Sequence, residues 1–332
     1  MSPPLPSLIL RQALQRLPLV RLHARHRLID DLALPERFMG NLWRGEFGAR
    51  LAEQAPEAFA AFMGSASTAR APAHWALHAP WADADWVPAG AVLESRLTLI
   101  GEAALTHLSA AANALAGVGQ HGLGPARQPG GGAPSQRARV QCEDLLQEDP
   151  RPAAAGRANA QTEPVDLPVL SAAQLLLASP AEPERPLRLH LRSPLVFKHD
   201  GALAGPAVPP LPLLLQRIWG RLVQLLPPPP QAPEPSEPGQ QPAAGRLFAP
   251  GERALWLALA EAAATPSSHT LQWIEAQRHS RRSGHDMPLA GLVGTLHYPA
   301  PAGALRPWFE LADWLQLGSK ASWGCGVIAV SA

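Results

Sequence analysis

Residues 17–28 alternate between apolar and polar side chains. An alternation that repeats every two positions predicts a strand with one buried face and one solvent-facing side. The apolar positions are Val20, Leu22 and Ala24, and the opposite face carries Arg21, His23, Arg25 and Arg27, with His26 at its end. The chain therefore opens with a strand that exposes a line of positive charge.

Helical and strand-like spacings then follow one another through the first half. The predicted elements are a helix over 38–51, a weak strand over 74–80, a strand over 92–100, a helix over 103–116, a glycine-rich loop over 117–124 and a short strand over 137–142.

The second half repeats this order. Its predicted elements are a strand over 186–197, helices over 211–226 and 253–263, strands over 270–276 and 289–298, a helix over 305–316, a glycine loop over 317–326 and a strand over 326–330. Two passes of strand-helix-strand-strand-helix-strand predict an α+β fold of tandem ferredoxin-like (RRM-like) domains. We place the first domain at 1–166 and the second at 167–332, with a Pro-rich insertion at 227–246 in the second.

The composition agrees with two domains, and the small net charge limits where a nucleic-acid-binding surface could lie. The 332 residues include 38 prolines, which indicates Pro-rich insertions. With a net charge of only +1, a nucleic-acid-binding surface would need locally concentrated positive charge. Lys198 and Lys320 are the only lysines, so each stands out from a background of arginines.

Metal and cofactor chemistry is not indicated by the sequence. Cys142 and Cys325 are the only cysteines, and two isolated cysteines build neither a zinc site nor a disulfide scaffold. No His-x-x-x-His helix, carboxylate cluster or nucleotide-binding P-loop is found, so we expect no metal and no cofactor. The N-terminus lacks a signal-peptide pattern, and no apolar run approaches the roughly 20 residues that span a bilayer. We expect a cytoplasmic protein with no membrane partner.

The strongest local motif is the glycine loop from Leu317 to Gly326. Glycine lets a backbone approach a phosphate closely, and a lysine among glycines supplies a point charge to it. The candidate nucleic-acid contacts in this loop are Gly318, Lys320, Ser322, Gly324 and Gly326. The alternative interpretation is a tight helix-to-strand turn with an exposed lysine.

A second motif lies between two predicted strands, at residues 278–286. Arginine pairs bidentately with phosphate and stacks on bases, and histidine moves protons near neutral pH. The candidate RNA-binding residues here are Arg278, Arg281 and Arg282, and His285 is a candidate for proton transfer. The alternative is a solvated basic hairpin. Arg21 and Arg25 on the first strand are further candidate RNA contacts, and Arg188, His190 and Arg192 repeat that pattern more weakly.

The order of these motifs resembles the CRISPR-associated repeat-processing endoribonucleases of the repeat-associated mysterious protein superfamily. The resemblance is densest over 270–330, where Arg278-x-Ser-x-Arg is followed by Gly291-Leu-Val-Gly294, a helix and Leu-Gly-Ser-Lys-x-Ser-x-Gly-x-Gly. It also touches Leu195 to Gly201, the helix at 213–225 and Phe38 to Gly48.

The resemblance implies metal-independent cleavage of the CRISPR precursor transcript within each repeat. A 2′-hydroxyl attacks the adjacent phosphate and leaves a 2′,3′-cyclic phosphate and a 5′-hydroxyl. It also implies repeat RNA or crRNA as the partner, with other CRISPR effector subunits as further partners. Gly318, Lys320, Gly324 and Gly326 carry over as loop residues, and Lys320 is also a candidate catalytic cation.

The first helix departs from the family pattern because no histidine lies between Leu28 and Arg50. We therefore keep three alternatives: His26 acts from the strand, His285 acts from the hairpin, or arginines position the 2′-hydroxyl. A non-catalytic RNA-binding subunit with the same fold stays a second hypothesis. A two-domain protein whose loops are only turns is the third.

Overall fold

The computed structural model describes residues 4–34, 38–64, 72–82, 84–127, 136–149, 169–199, 202–203, 205–227, 247–275, 277–279 and 286–331. In the first half the elements are α1 (Leu8–Gln15), β1 (Pro18–Leu28), β2 (Leu32–Ala33), α2 (Gly40–Gln54), α3 (Pro56–Met63), β3 (Trp75–His78), β4 (Trp86–Val87), β5 (Val92–Ile100), α4 (Glu102–Leu105), α5 (Leu108–Ala116) and β6 (Val140–Gln147).

The second half contains a matching set. Its elements are β7 (Leu170–Ser171), α6 (Ala172–Ala178), β8 (Leu187–Leu195), β9 (Lys198–His199), β10 (Ala202–Leu203), α7 (Leu211–Leu225), α8 (Glu252–Ala262), β11 (Ser268–Ile274), β12 (Gln277–His279), β13 (Asp286–Pro288), β14 (Gly291–Tyr298), α9 (Arg306–Leu315) and β15 (Ile328–Ser331). Short 3-10 helices cover Ala302–Leu305 and Ala321–Trp323.

Two antiparallel sheets with the same strand order organise these elements. The first sheet runs β3-β5-β1-β6, and the second runs β11-β14-β8-β15. In the two sheets β1 and β8 lie in the interior, and β6 and β15 pair with them at one edge. Because this is the strand order of a ferredoxin-like βαββαβ unit, each sheet corresponds to one of the two predicted passes.

The alternation in β1 gives the expected division into two faces. Val20, Leu22 and Ala24 point into a core formed with α2, α3 and α5. The register shifts where β1 pairs with β6. Arg25 pairs with Asp144 and the next residue, His26, with Cys142, so β6 carries a bulge at Glu143.

One predicted helix is two helices in the structure. The periodic stretch 103–116 is interrupted between α4 and α5, where Thr106 caps the first piece. The Thr106 hydroxyl donates a hydrogen bond to the Ala103 carbonyl at 2.9 Å. Such local side-chain-to-backbone bonds compete with helix continuation, and hydrophobic spacing does not reveal them.

The N-terminal helix packs in the second core rather than the first. Leu10 and Leu14 of α1 are fully buried and belong to the apolar cluster that also holds α6, α7 and α9. Strand β7 pairs with the start of β1, which brings α6 beside α1. The two halves therefore share a core. The predicted boundary between 166 and 167 lies outside the described residues, as does the stretch 228–246 of the Pro-rich insertion.

Candidate nucleic-acid interface

The glycine loop is closed at its base by backbone hydrogen bonds. The Leu317 N–H donates to the Gly326 carbonyl at 2.8 Å, and the Gly326 N–H donates to the Pro194 carbonyl at 3.0 Å. Gly326 has φ of 78°, and a Cβ there would overlap the Leu317 carbonyl. Glycine is therefore required at this position by the geometry of the turn itself.

The loop is also fixed to the end of β8. The backbone N–H and the hydroxyl of Ser319 both donate to the Val196 carbonyl, at 2.7 and 2.9 Å. Gly318, with φ of 88°, packs against the same carbonyl. Lys198 begins β9 two residues after Val196, so the fold brings the backbones of both lysine-containing segments to one place.

A small apolar cluster joins this edge to the basic hairpin. Its buried members are Phe38, Val196, Leu289 and Cys325. Leu289 directly follows β13, which pairs with β12. The base of the hairpin that carries Arg278 therefore lies at the same edge of the molecule as the glycine loop.

Lys320 occupies the turn of the loop. It has φ of 65°, in the left-handed region, and precedes the 3-10 helix Ala321–Trp323. Its carbonyl accepts hydrogen bonds from the N–H groups of Trp323 and Cys325 at 2.9 and 3.3 Å. Burial raises the pKa of the Cys325 thiol to about 12, and the nearby Lys320 charge offsets this only in part. Cys325 therefore fills space as a neutral thiol, while Lys320 is the charged group of the loop.

The loop docks on the first half of the chain as well. A Cβ on Gly40, at the start of α2, would overlap the Trp323 carbonyl, and Gly324 packs against Leu77 and Phe38. The Arg44 guanidinium donates to the Ser322 carbonyl at 3.1 Å. The Ser322 side chain is buried, and it is the backbone carbonyl of this residue that contacts Arg44.

Arg21 does not face solvent, contrary to the basic-face expectation. Its guanidinium donates to a carboxylate oxygen and to the backbone carbonyl of Asp313 at 2.7 and 2.6 Å, and it lies 4.2 Å from the Trp314 ring centroid. The alternation of β1 correctly placed Arg21 away from the first core. The end of α9 covers that part of the sheet face, and single-strand periodicity cannot show this. We therefore withdraw Arg21 as an RNA contact and assign it to the junction between the halves.

His26 is also withdrawn as a catalytic candidate. The side chain is fully buried, contacts the Trp43 ring edge-on, and has its Nε2 3.1 Å from the Leu115 carbonyl. Burial lowers the pKa of His26 to about 4. His26 lies two residues after Ala24 and two before Leu28, on the buried face of β1, where a phosphodiester cannot reach it.

The two outer sheet faces differ in charge. On the first sheet, Arg25 lies 3.6 Å from a Glu94 oxygen and Arg27 pairs with Glu143, so carboxylates largely neutralise that face. Arg25 itself stays accessible, with 45% of its side chain exposed.

On the second sheet, positive charge accumulates. Arg188 donates to a ring nitrogen of His297 at 3.3 Å, and both lie beside His190. Burial first, and then the charges of Arg192, Arg188 and His297, lower the pKa of His190. Arg192 is exposed. The pattern of Arg188, His190 and Arg192 on β8, which is the weaker one in the sequence, therefore gives a more basic sheet face than the pattern on β1.

The remaining candidates stay predictions. Arg281, Arg282 and His285 lie outside the described residues, and only the backbone of Arg278 is described. In the part of the chain that the structure describes, no group of three or more His, Cys, Asp or Glu side chains is placed to hold a metal ion. None of the described helices is both long enough and apolar enough to cross a membrane.

The sequence named Arg44 among the arginines of the first helix, but it did not predict the loop contacts that Arg44 and Arg50 make. Arg44 contacts the second glycine loop, and Arg50 lies 2.6 Å from Nδ1 of His121 in the first glycine loop. Helical spacing identifies the core face of α2, but it does not show which loops reach the other faces.

The second half of the chain is similar in sequence to a known protein family. Residues 189–328 match the family model of the CRISPR-associated endoribonuclease Cas6. The family resemblance drawn from the sequence is confirmed. The matched range includes most of the second sheet, the sequence of the basic hairpin and the glycine loop. No curated protein matches the chain by sequence.

Solved Cas6 structures share the fold of nearly the whole chain. A Cas6 product complex is 22% identical, with a TM-score of 0.51, and covers 94% of this chain and 100% of its own. Cas6 from Thermus thermophilus is 14% identical, with a TM-score of 0.55, over 95% and 99%. A partial Cas6-RT-Cas1–Cas2 complex is 13% identical, with a TM-score of 0.54, over 95% of this chain and 46% of the other. The predicted α+β fold of tandem ferredoxin-like domains is thus confirmed.

Proposed function

We propose that this protein is an endoribonuclease that binds CRISPR repeat RNA and cleaves the precursor transcript within the repeat. The observation that carries the proposal is the convergence of three segments at one edge. These are the glycine loop with Lys320, the segment from Val196 to Lys198, and the base of the hairpin with Arg278. Cas6 product complexes and a Cas6-RT-Cas1–Cas2 complex among the structural neighbours support both repeat RNA and other CRISPR subunits as partners.

The proposed chemistry needs no metal. The 2′-hydroxyl beside the scissile phosphate attacks phosphorus, and the 5′-oxygen of the next nucleotide leaves. The products end in a 2′,3′-cyclic phosphate and a 5′-hydroxyl. Lys320 stabilises the extra negative charge of the phosphorane, as a fixed cation at a developing charge does in other enzymes. Because His26 is buried, His285 is the histidine that we keep as the candidate general base.

Binding before cleavage is proposed to use several cationic surfaces. Arg278, Arg281 and Arg282 would contact the RNA beside the glycine loop. Arg25 keeps its role as a proposed contact on the first sheet. Arg188 and Arg192 add positive charge on the second sheet, where arginine forks match phosphate geometry.

The test uses labelled repeat RNA and the purified full-length protein in excess EDTA. We expect one cut, a cyclic phosphate on the upstream fragment and a 5′-hydroxyl on the downstream one. RNA with a single 2′-deoxy nucleotide at the cut should bind with unchanged affinity and stay intact, because the nucleophile is missing. Cleavage of that RNA at the same bond, or loss of cleavage in EDTA alone, would contradict the mechanism.

Two substitutions separate the proposed roles. Lys320→Ala should weaken both binding and cleavage, whereas His285→Ala should reduce cleavage and leave RNA affinity within about twofold. His26→Ala serves as a stability control, since its side chain lies in the core.

The second candidate function is a non-catalytic RNA-binding subunit of a CRISPR effector complex. The burial of His26 favours it, because this removes one of the two histidines proposed from the sequence. Tight, salt-sensitive binding of repeat RNA without any cut under the same conditions would establish this alternative.

A further inference from the structure

Helix α2 connects the two glycine loops of the chain. Near its start, Gly40 and Arg44 contact the loop that carries Lys320. Near its end, Arg50 is buried, pairs with Glu53 at 2.8 Å and lies 2.6 Å from Nδ1 of His121 in the first glycine loop. One rigid helix therefore sets the position of both loops.

The contact made by Arg44 is specific in its geometry. Its guanidinium carbon lies 4.0 Å from the ring centroid of Trp323 and 5.0 Å from that of Trp75. At the same time Nη1 donates to the Ser322 carbonyl at 3.1 Å. Only a planar cation with several fixed N–H groups can stack on a ring and donate in its own plane, which a lysine ammonium cannot reproduce.

This contact holds the part of the loop that directly follows Lys320. Residues 321–323 form a 3-10 turn that begins from the left-handed backbone of Lys320. Gly40 packs against the carbonyl of Trp323 from the other side, so the turn is held on α2 at two points. Rotation of the turn relative to α2 would displace the Cα of Lys320 and the direction of its side chain.

We propose that Arg44 is a positioning residue for RNA recognition, which acts through the backbone of Ser322 and the ring of Trp323 to orient Lys320. This inference rests on the proposed function, since it concerns the same RNA-binding loop. It assigns to the first half of the chain control over a phosphate contact made by the second half. It also explains why glycine occupies position 40, where any side chain would push the loop away from the helix.

The test is a double-mutant cycle on repeat-RNA affinity with Arg44→Lys and Lys320→Ala. Arg44→Lys retains the charge but loses the planar contact, and we expect Kd to rise about tenfold, which corresponds to about 1.4 kcal/mol. Lys320→Ala alone should have a similar effect. If Arg44 acts through Lys320, adding Arg44→Lys to Lys320→Ala should change Kd by no more than about twofold, because coupled residues are not additive.

Arg127→Lys is the matched control. Arg127 also stacks on a tryptophan, with its guanidinium 4.2 Å from the Trp86 centroid, but at an exposed position of the first half. We expect its RNA affinity to equal that of the wild type. Trp323→Phe provides a second perturbation that keeps an apolar ring and weakens the cation–π contact, and it should raise Kd in the same direction as Arg44→Lys. Binding is measured well below the melting temperature of each variant.

The outcomes distinguish the inference from the function on which it rests. If the wild-type protein does not bind repeat RNA, the proposed function fails and the inference fails with it. If the wild type binds and Lys320→Ala weakens binding, but Arg44→Lys leaves Kd unchanged, only the inference is overturned. Fully additive effects in the double variant would overturn it as well, since Arg44 would then act independently of Lys320.

Discussion

Replacement of Arg21 should destabilise the protein without changing the number of RNA phosphates that it contacts. Arg21→Met retains the apolar stem of the side chain but removes the guanidinium group and its charge. The Arg21 side chain is only 5% exposed, and its guanidinium makes two short bonds to Asp313, a 3.2 Å bond to Thr98 and a stacking contact with Trp314.

The expected cost follows from these contacts. Breaking one side of a buried ion pair costs about 3–5 kcal/mol. We expect the lower end, about 3 kcal/mol, because the Asp313 carboxylate is 25% exposed and keeps access to water. Urea unfolding of both proteins measures the difference.

Arg25→Met is the matched control, because Arg25 is half exposed and makes only a distant ion pair. Its loss should change the free energy of unfolding by less than about 0.5 kcal/mol. Repeat-RNA affinity is then measured across a salt series. Arg21→Met should retain the wild-type salt dependence, whereas Arg25→Met should reduce it. An Arg21→Met variant of unchanged stability and reduced salt dependence would refute the junction assignment.

Three further predictions concern stability. His26 alone should lower the free energy of unfolding by up to about 3 kcal/mol as pH drops from 6.5 toward 4, because unfolded His26 gains a proton near its ordinary pKa while the folded residue, with its pKa lowered to about 4, does not. The buried His78, whose pKa is lowered to about 3, adds to the fall in the same way, so His26→Gln should show a shallower but not a flat pH dependence in urea titrations at each pH. Gly326→Ala should lower the free energy of unfolding by about 2–4 kcal/mol, because position 326 has a positive φ and a Cβ there would overlap the Leu317 carbonyl. Its control is Gly45→Ala on α2, where a Cβ meets open space, so this variant should be neutral or stabilising. Thermal unfolding measures both. Tyr298→Phe should lose about 1–2 kcal/mol, since the buried hydroxyl donates to the Pro209 carbonyl at 2.6 Å, and calorimetry showing no loss would contradict that assignment.

Much of the fold follows from local periodicity. The strand at 92–100 and the helix starting at 211 are where the hydrophobic pattern places them. Periodicity succeeds here because each element buries one continuous face against one sheet. It misses α1, whose Leu10 and Leu14 are buried by elements more than 150 residues away along the chain.

The site was harder to predict for a physical reason. The pattern of β1 separates Arg21 from the core residues correctly, but it cannot show that Asp313 and Trp314 cover that arginine. The sequence prediction assigned His26 to the end of the basic face, whereas the alternation of β1 places it on the buried face with Ala24 and Leu28, where it packs against Trp43. Long-range partners decide whether a charged residue is a ligand contact or part of a domain junction.

For the glycines of the last loop, the sequence predicted a close backbone approach but not the group that is approached. Their spacing correctly indicated close backbone approach. The structure shows that the approach at Gly318 and Gly326 is to the protein's own carbonyls, at Val196 and Leu317. These glycines shape the loop, and Lys320 is the residue through which we propose that the loop contacts RNA.

The central claim is that Lys320 contacts an RNA phosphate, and the salt dependence of binding tests it most directly. Repeat-RNA affinity of the wild type and of Lys320→Ala is measured from low to moderate salt, and the logarithm of Kd is plotted against the logarithm of salt concentration. Loss of one phosphate contact to single-stranded RNA should reduce the slope by about 0.7. A Lys320→Ala variant with the wild-type slope and affinity would contradict the account.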